Sequence, residues 1–132
     1  MSILDDMLTI LQAAGVGTPG TNLFKGRTPP SPDAILVVQE YPGEPPSYTH
    51  DSSHPAIRYP RVQVSTRAAA YDTAEQKIQA AYDALSGIVN TPSPSGAIYF
   101  LSIRPLGEPG YAGVDENNRV KFVCNFEVKR RG

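Results

Sequence analysis

The feature of this sequence that most constrains its fold is a strand that passes directly into a helix. Between Ile57 and Arg67 the residues alternate in character, so that one set faces the core of a sheet and the other set faces away. The core-facing set is Pro60, Val62, Val64 and Thr66, and the opposite set is Arg61, Gln63, Ser65 and Arg67. The pattern predicts a strand with one buried face.

Beyond this strand the apolar period lengthens from two residues to about 3.6, which is typical of an amphipathic helix. One helical stripe contains Ala74, Ile78, Ala81, Tyr82 and Leu85. Asp72 and Glu75 are typical of a capping pair at a helix start, and Gly87 is typical of a helix end. Because so few residues join the strand to the helix, the two should pack against each other.

The same two periods predict the remaining elements. Ser2 and Asp5 indicate the start of a short amphipathic helix that ends near Gly15, and strands are predicted at residues 22–25, 35–41, 97–104 and 119–129. A chain of 132 residues can bury one core. The order predicts a single α+β domain over residues 1–132, with a mainly antiparallel sheet of roughly four to five strands and two helices packed on one face.

Two segments rich in proline and glycine, at residues 42–56 and 105–118, are predicted to be long loops. The first contains almost no aliphatic side chain, so it cannot bury enough apolar area to offset the entropy lost on ordering. We therefore expect it to be mobile in the free subunit and to become ordered against a partner, with Tyr48 and His54 docking there.

Charge and cysteine content exclude several classes of protein. A net charge of −1 gives no field that recruits nucleic acid or an anionic membrane. A single cysteine, Cys124, excludes an internal disulfide and a cysteine-based metal site, and it suits assembly in a reducing cytoplasm. No apolar run approaches the ~20 residues that span a bilayer, and Asp5 and Asp6 stand where a signal peptide is basic. We expect no membrane segment and no signal peptide.

Two local motifs are weak candidates for cofactor or metal sites. The run from Gly15 to Gly20 matches the dinucleotide fingerprint, but it follows a helix, whereas that fingerprint follows a strand. His50, Asp51 and His54 have a spacing that suits a metal only on a helix, and they lie in the first predicted loop. We expect neither a cofactor nor a metal. Cys124 is predicted to be a small apolar residue of the core.

Tyrosines and arginines are the remaining candidates for contacts with a partner. Tyrosine offers large contact area at low entropy cost, and arginine can bind carboxylates or phosphates. Cations on a strand edge also protect against edge-to-edge pairing, and that explanation stays open. The predicted partner-binding set is Tyr48, His54, Arg61, Arg67, Tyr99, Tyr111, Arg130 and Arg131.

Several short segments, in this order, resemble the tail terminator proteins (also called tail completion or minor capsid proteins) of long-tailed bacteriophages. The resemblance covers roughly residues 20–130 and rests on a series of small elements without one diagnostic motif. Those elements are Leu23 to Gly26, Pro29 to Asp33, Ile35 to Gly43, Tyr59 to Val64, Arg67, and Tyr71 to Gly87.

The resemblance implies a structural virion protein without catalytic residues. It implies a hexameric ring that caps the tail tube, ends tail polymerisation and joins the tail to the head connector in the neck of the virion. The implied partners are copies of the chain itself, the tail tube protein, and a head-tail connector or adaptor protein. Genomic DNA would pass the lumen without sequence-specific binding, and assembly would take place in the host cytoplasm.

The sequence offers one independent argument for a ring, and two alternatives remain open. The predicted strands at 35–41 and 97–104 are apolar on both faces, which is more apolar surface than a one-sided sheet needs. The main alternative is a small α+β ligand-binding or regulatory domain without catalysis, which requires a concave pocket with convergent polar groups. A small enzyme is the other, and its only candidate residues are the loop histidines.

Overall fold

The computed structural model describes residues 3–48, 55–96 and 98–131. In chain order the elements are α1 (Ile3–Ala13), β1 (Leu23–Lys25), β2 (Ile35–Tyr48), β3 (Pro55–Ala68), α2 (Tyr71–Leu85), β4 (Ile88–Pro92), β5 (Tyr99–Pro105), β6 (Gly110–Val114) and β7 (Val120–Arg131). The α+β class is therefore confirmed. Neither helix has the length and apolar character that a bilayer-spanning helix needs, within the part of the chain that is described.

One seven-stranded sheet contains all these strands, in the order β1-β2-β3-β7-β5-β4. β6 lies off this path and pairs with the first residues of β7, which β5 does not reach. β1 runs parallel to β2, and the other pairs are antiparallel. The sheet is thus mixed but mainly antiparallel, as predicted.

The core lies between the sheet and the two helices. Alternate residues of β3 and β7 face it, as their sequence predicts, and the stripe of α2 packs on them. The buried residues of these elements include Val62, Val64, Ala74, Ile78, Ala81, Leu85, Phe122, Cys124, Phe126 and Val128. α1 adds Ile3, Met7, Leu8 and Leu11 to the same cluster.

The joint between β3 and α2 forms as the sequence predicts, except for its cap. Thr66 is buried at the end of β3, and its hydroxyl donates to the carbonyl oxygen of Ala74, 3.0 Å away, which fixes strand to helix. The capping pair of Asp72 and Glu75 was a wrong prediction. The helix begins one residue earlier, and its N-cap, Ala70, makes no side-chain hydrogen bond. Packing on the sheet replaces the cap as the source of helix stability.

The prediction of four to five strands was too low because β4 and β6 were missed. The residues of β4 after Ile88 are exposed, and those of β6 are half-buried or exposed, without regular alternation and without a buried member. A strand without a buried face carries no apolar alternation, so its sequence resembles a loop. Residues 105–118, predicted as one loop, therefore contain β6.

The predicted loop at 42–56 is also corrected in part. Residues 42–48 continue β2, and β3 already begins at Pro55, so the two strands form a long hairpin. Their pairing shifts register between Tyr41 and Glu44 and twice more before Tyr48. Bulges of this kind accommodate proline, which cannot donate to a sheet ladder. The remainder of the predicted loop, including His50, Asp51 and His54, lies outside the described residues.

Candidate partner-binding surfaces

One face of the sheet carries neither helix, and a row of amides crosses it. Gln39, Gln63 and Asn125 stand opposite one another on β2, β3 and β7. Gln63 Nε2 donates to Asn125 Oδ1 over 3.1 Å, and Gln39 Nε2 donates to the carbonyl oxygen of Gly26 over 3.0 Å. We call this side the helix-free face.

The apolar residues of β2 on the helix-free face are already covered within the subunit. Ile35 and Val37 are each only 1% exposed. The argument that β2 supplies surplus apolar surface for a ring contact is therefore wrong for these two residues. On β5, Phe100 and Ile103 belong to the core, whereas Leu101 is half-buried and leaves some apolar surface exposed.

Two buried arginines bind the chain segment that borders this covered region. Arg67 Nη2 donates to the carbonyl oxygen of Pro32 (2.8 Å), and Arg119 Nη1 donates to that of Pro30 (2.6 Å). Arg119 Nε also donates to Asp115 Oδ2 (2.8 Å). Burial first, and then the nearby Arg119, lower the pKa of Arg67. Both guanidinium groups thus serve the fold.

A groove of about 270 Å³ opens on the helix-free face, and it is the natural test of the ligand-binding alternative. Gln39, Gln63 and Arg67 line it, but each already bonds to another group of the chain. Ligand sites typically measure about 300 to 1,000 Å³ and present convergent polar groups. The groove gives that alternative little support.

Basic side chains accumulate at one end of the sheet, where β3 begins and β7 ends. We call the group the basic end, and its members are Arg58, Arg61, Arg104, Lys129, Arg130 and Arg131. Glu127 is shared there: Arg104 Nη2 lies 2.8 Å from its Oε1, and Arg61 Nη2 lies 3.9 Å from its Oε2. The guanidinium of Arg131 stacks over the Tyr99 ring, 4.7 Å from the centroid. The fold thus gathers several cations around Glu127.

Exposed aromatic rings lie at the other end of the sheet. Tyr71 begins α2, Tyr111 lies on β6, and both contact Phe122 of β7, with ring centroids 5.0 Å and 5.8 Å from it. Tyr71 is 48% exposed and Tyr111 is 55% exposed, although both are large and partly apolar. We call these three rings the aromatic patch. A groove of about 250 Å³, bordered by Glu75 and Pro109, adjoins Phe122.

The structure divides the predicted partner-binding set between these places. Arg61, Tyr99, Arg130 and Arg131 come together at the basic end, and Tyr111 lies in the aromatic patch. Arg67 belongs to the internal contacts of the fold, so we leave it out of the surfaces considered below. Tyr48 ends β2 opposite Pro55 in register, and His54 lies outside the described residues.

Sequence reasoning missed the partners of Tyr111 in the aromatic patch. Tyr71, Tyr111 and Phe122 are far apart in sequence, and only the pairing of Tyr111 with Phe122 across β6 and β7 brings them together. Because β6 was predicted as loop, that register could not be found. One signal was present: Tyr71 is an aromatic residue outside the buried stripe of α2.

The two weak motifs differ in outcome. The glycines of the fingerprint follow α1 and precede β1, with Gly15 and Gly20 at φ values of 78° and 84°, so they form a turn after a helix. The histidine pair cannot be placed, because it lies outside the described residues. Within residues 3–48, 55–96 and 98–131, no group of three histidine, cysteine or acidic side chains is arranged to hold a metal.

Comparison with known proteins adds a family and a fold relative. The family model described as "Bacteriophage tail terminator protein" matches residues 10–131. Among solved structures, a chain of the "Virion of native gene transfer agent (GTA) particle" is 17% identical in sequence with a TM-score of 0.67, over 99% of this chain and 96% of that one. At that identity the likeness concerns the fold. No curated protein matches this chain.

Proposed function

This chain belongs to the bacteriophage tail terminator family, and from that premise we propose that it forms a ring that caps the phage tail tube. The ring ends polymerisation of the tube and then joins the tail to the head connector, in the neck of the virion. The observation that carries the proposal is the family match over residues 10–131, which spans almost the entire domain. The structural role in the tail follows from the family, and the position in the neck is our proposal.

The partners in this role are further copies of the chain, most simply six, the last ring of the tail tube, and a connector or adaptor protein of the head. A ring of identical subunits needs two different, complementary surfaces on each subunit. The basic end and the aromatic patch are two such surfaces on one chain. A specific contact between subunits is expected to bury on the order of 1,600 Å². The DNA would cross the lumen without base recognition.

The role is structural and does not require catalysis. Cys124 is the one thiol of the chain, and burial raises its pKa to about 11, so it is protonated and unsuited to act as a nucleophile. The groove on the helix-free face is small, and three of its polar side chains, Gln39, Gln63 and Arg67, bond within the chain. These features support a non-enzymatic protein. Assembly within the host cytoplasm is part of the proposal.

Electron microscopy of particles made without this protein tests the proposal. Deleting its gene should give overlong tails and separate, DNA-filled heads, and supplying the protein in trans should restore joined particles. Antibody labelling of complete particles should mark the head-proximal end of the tail. Tails of normal length that join heads without the protein, or label at the distal tip, would overturn the proposed role.

A further inference from the structure

The aromatic patch has exposed carboxylates beside it. Glu75 lines the same groove as Phe122, and Asp72 follows Tyr71 in the chain. Arg119, at the same end of the sheet, is buried and bound to Asp115 and to the segment around Pro30. Exposed aromatic area is typical of a protein interface, and a carboxylate beside it can pair with a basic partner.

The basic end has the complementary properties. Arg58 and Arg130 stand opposite each other across β3 and β7, so two like charges are neighbours. Burial, and after it the charge of Arg58, lower the pKa of Arg130, while Glu40 acts in the opposite direction. Arg104, Lys129 and Arg131 extend this concentration of positive charge, which suits a partner that brings carboxylates.

Protection of a sheet edge does not explain the basic end. β3 lies between β2 and β7, and β7 lies between β3 and β5, so both strands are internal. Cations guard a sheet where a strand has an open side, which neither strand has along these pairings. The explanation left open by the sequence is therefore wrong for Arg58, Arg130 and Arg131.

One subunit cannot bring its own two surfaces together. Phe122 and Arg131 lie on the same strand, β7. At about 3.3 Å per residue, the nine steps between them span about 30 Å. A contact between the surfaces must therefore join two molecules, and each molecule then keeps one surface of each kind for the next.

We propose that the aromatic patch of one subunit, with Glu75 beside it, receives the basic end of a second copy of this chain. Arginines of that end stack on Tyr71 and Tyr111 and pair with the carboxylates, in the way that Arg131 already stacks on Tyr99 at 4.7 Å. The contact is heterologous, and its repetition closes into a ring when the rotation between neighbouring subunits divides a full turn evenly. This inference rests on the proposed function, since it assigns the contact that builds the ring.

Disulfide cross-linking in assembled particles tests the contact. Tyr111→Cys places a thiol on one surface, and Arg131→Cys places one on the other. The buried Cys124 remains as an unreactive background. Oxidised particles carrying the double variant should give a ladder of linked species beyond the dimer, and each single variant should give monomers. A dimer from either single variant would show that a surface meets its own copy and would overturn the proposal.

Charge reversal gives a second, independent test. Glu75→Arg and Arg131→Glu should each reduce the number of joined particles at least tenfold. The double variant should recover most of that number, because each contact then carries the same ion pair with its charges exchanged. Asp83→Arg and Arg27→Glu reverse exposed charges outside both surfaces and should leave assembly unchanged. If the double variant recovered no joined particles and the control variants lost as many as the single variants, the proposal would be overturned.

The two proposals fail in different ways. If the protein labels the head-proximal end of the tail but the double cysteine variant gives no ladder, the function stands and the assigned contact is wrong. If the protein is absent from particles, the proposed function itself is wrong. Circular dichroism of each purified variant separates loss of folding from loss of contact.

Discussion

At the scale of single residues, burial decides the chemistry of Cys124. Its side chain faces the core, 3.6 Å from the carbonyl oxygen of Gly107, and desolvation raises its pKa to about 11. At pH 8 almost all of this thiol is protonated, and only the thiolate reacts. We expect no labelling by iodoacetamide in the native protein and one label per chain in 6 M guanidinium (about 6 M denatures most domains), measured by mass spectrometry. Rapid native labelling would show that β7 opens readily.

Asp115 organises the turn between β6 and β7. Its carboxylate accepts the backbone N–H groups of Asn117 (3.0 Å) and Arg119 (2.8 Å), and the bond from the Arg119 backbone is the main cause that lowers its pKa. A carboxylate whose folded pKa is lowered stabilises the protein above its unfolded pKa, near 3.8, and loses that contribution as the pH falls through the folded pKa. The charge of this one side chain therefore makes part of the stability pH-dependent.

The variant Asp115→Asn should melt at a lower temperature than the parent at pH 7, because a neutral amide is a weaker acceptor for these donors. The difference between the two should shrink as the pH is lowered below 3.8, where the parent loses its own charge. Thermal melting monitored by circular dichroism at each pH measures this difference in melting temperature. A difference that is constant with pH would contradict the assignment.

Some residue roles were out of reach of the sequence. Asp6 was noted only as one of two acids where a signal peptide would be basic. In the structure it is 2% exposed, and its carboxylate accepts from the backbone N–H of Ser95, 3.0 Å away, across most of the chain. Nothing local distinguishes Asp6 from the neighbouring Asp5, because the difference depends on which residue the fold brings close.

At the scale of elements, α2 depends on its buried stripe. Ile78 is 1% exposed in the centre of that stripe. Ile78→Asp should lower the free energy of unfolding by more than about 3 kcal/mol, because it buries an unpaired charge and removes apolar contacts. Gln79→Ala, on the exposed side of the same turn, should change it by less than about 0.5 kcal/mol. Urea denaturation measures the free energy of unfolding of both variants. Similar values would mean that α2 does not pack on the sheet as described.

Gly43 allows the long hairpin of β2 and β3. A Cβ atom at this position would overlap the carbonyl oxygen of Tyr59 on the facing strand. Gly43→Ala should therefore force the strands apart locally and lower the melting temperature, with faster amide exchange in the hairpin. Gly107→Ala is the matched control, because a Cβ there meets nothing within 4 Å. Equal melting temperatures for the two variants would be evidence against the close approach of the strands.

The sequence predicts those elements that have one buried face. β3, α2 and β7 each show a clear period, and most of their predicted core residues are buried, whereas Pro60 and Tyr82 are half-buried. β4 and β6 lack a buried face, and the hairpin beyond Tyr41 hides its strand character behind prolines at shifts of register. These elements form because an existing strand offers backbone partners. Pairing of this kind leaves no trace in side-chain periodicity.

At the scale of the whole molecule, the sequence predicted several surface residues but not their arrangement. A net charge of −1 describes the chain as nearly neutral. The register of β3 with β7 nevertheless collects the arginines at one end, and the β6 pairing collects tyrosines at the other. A chain of balanced composition thus carries a local concentration of cations, and only the strand pairing reveals it.

This concentration of cations should make incorporation into tails sensitive to salt. Surfaces of opposite charge attract each other over about one Debye length, which falls from about 14 Å at 50 mM salt to about 4 Å at 500 mM. Adding purified protein to tails that lack it should restore joining to heads at a rate that falls at least tenfold over this range. A variant with Arg130→Gln and Arg131→Gln should join slowly at both salt concentrations, because it has lost the charge that salt screens. A parent rate independent of salt would mean that apolar contacts, and not the charges of the basic end, govern how each subunit finds the next.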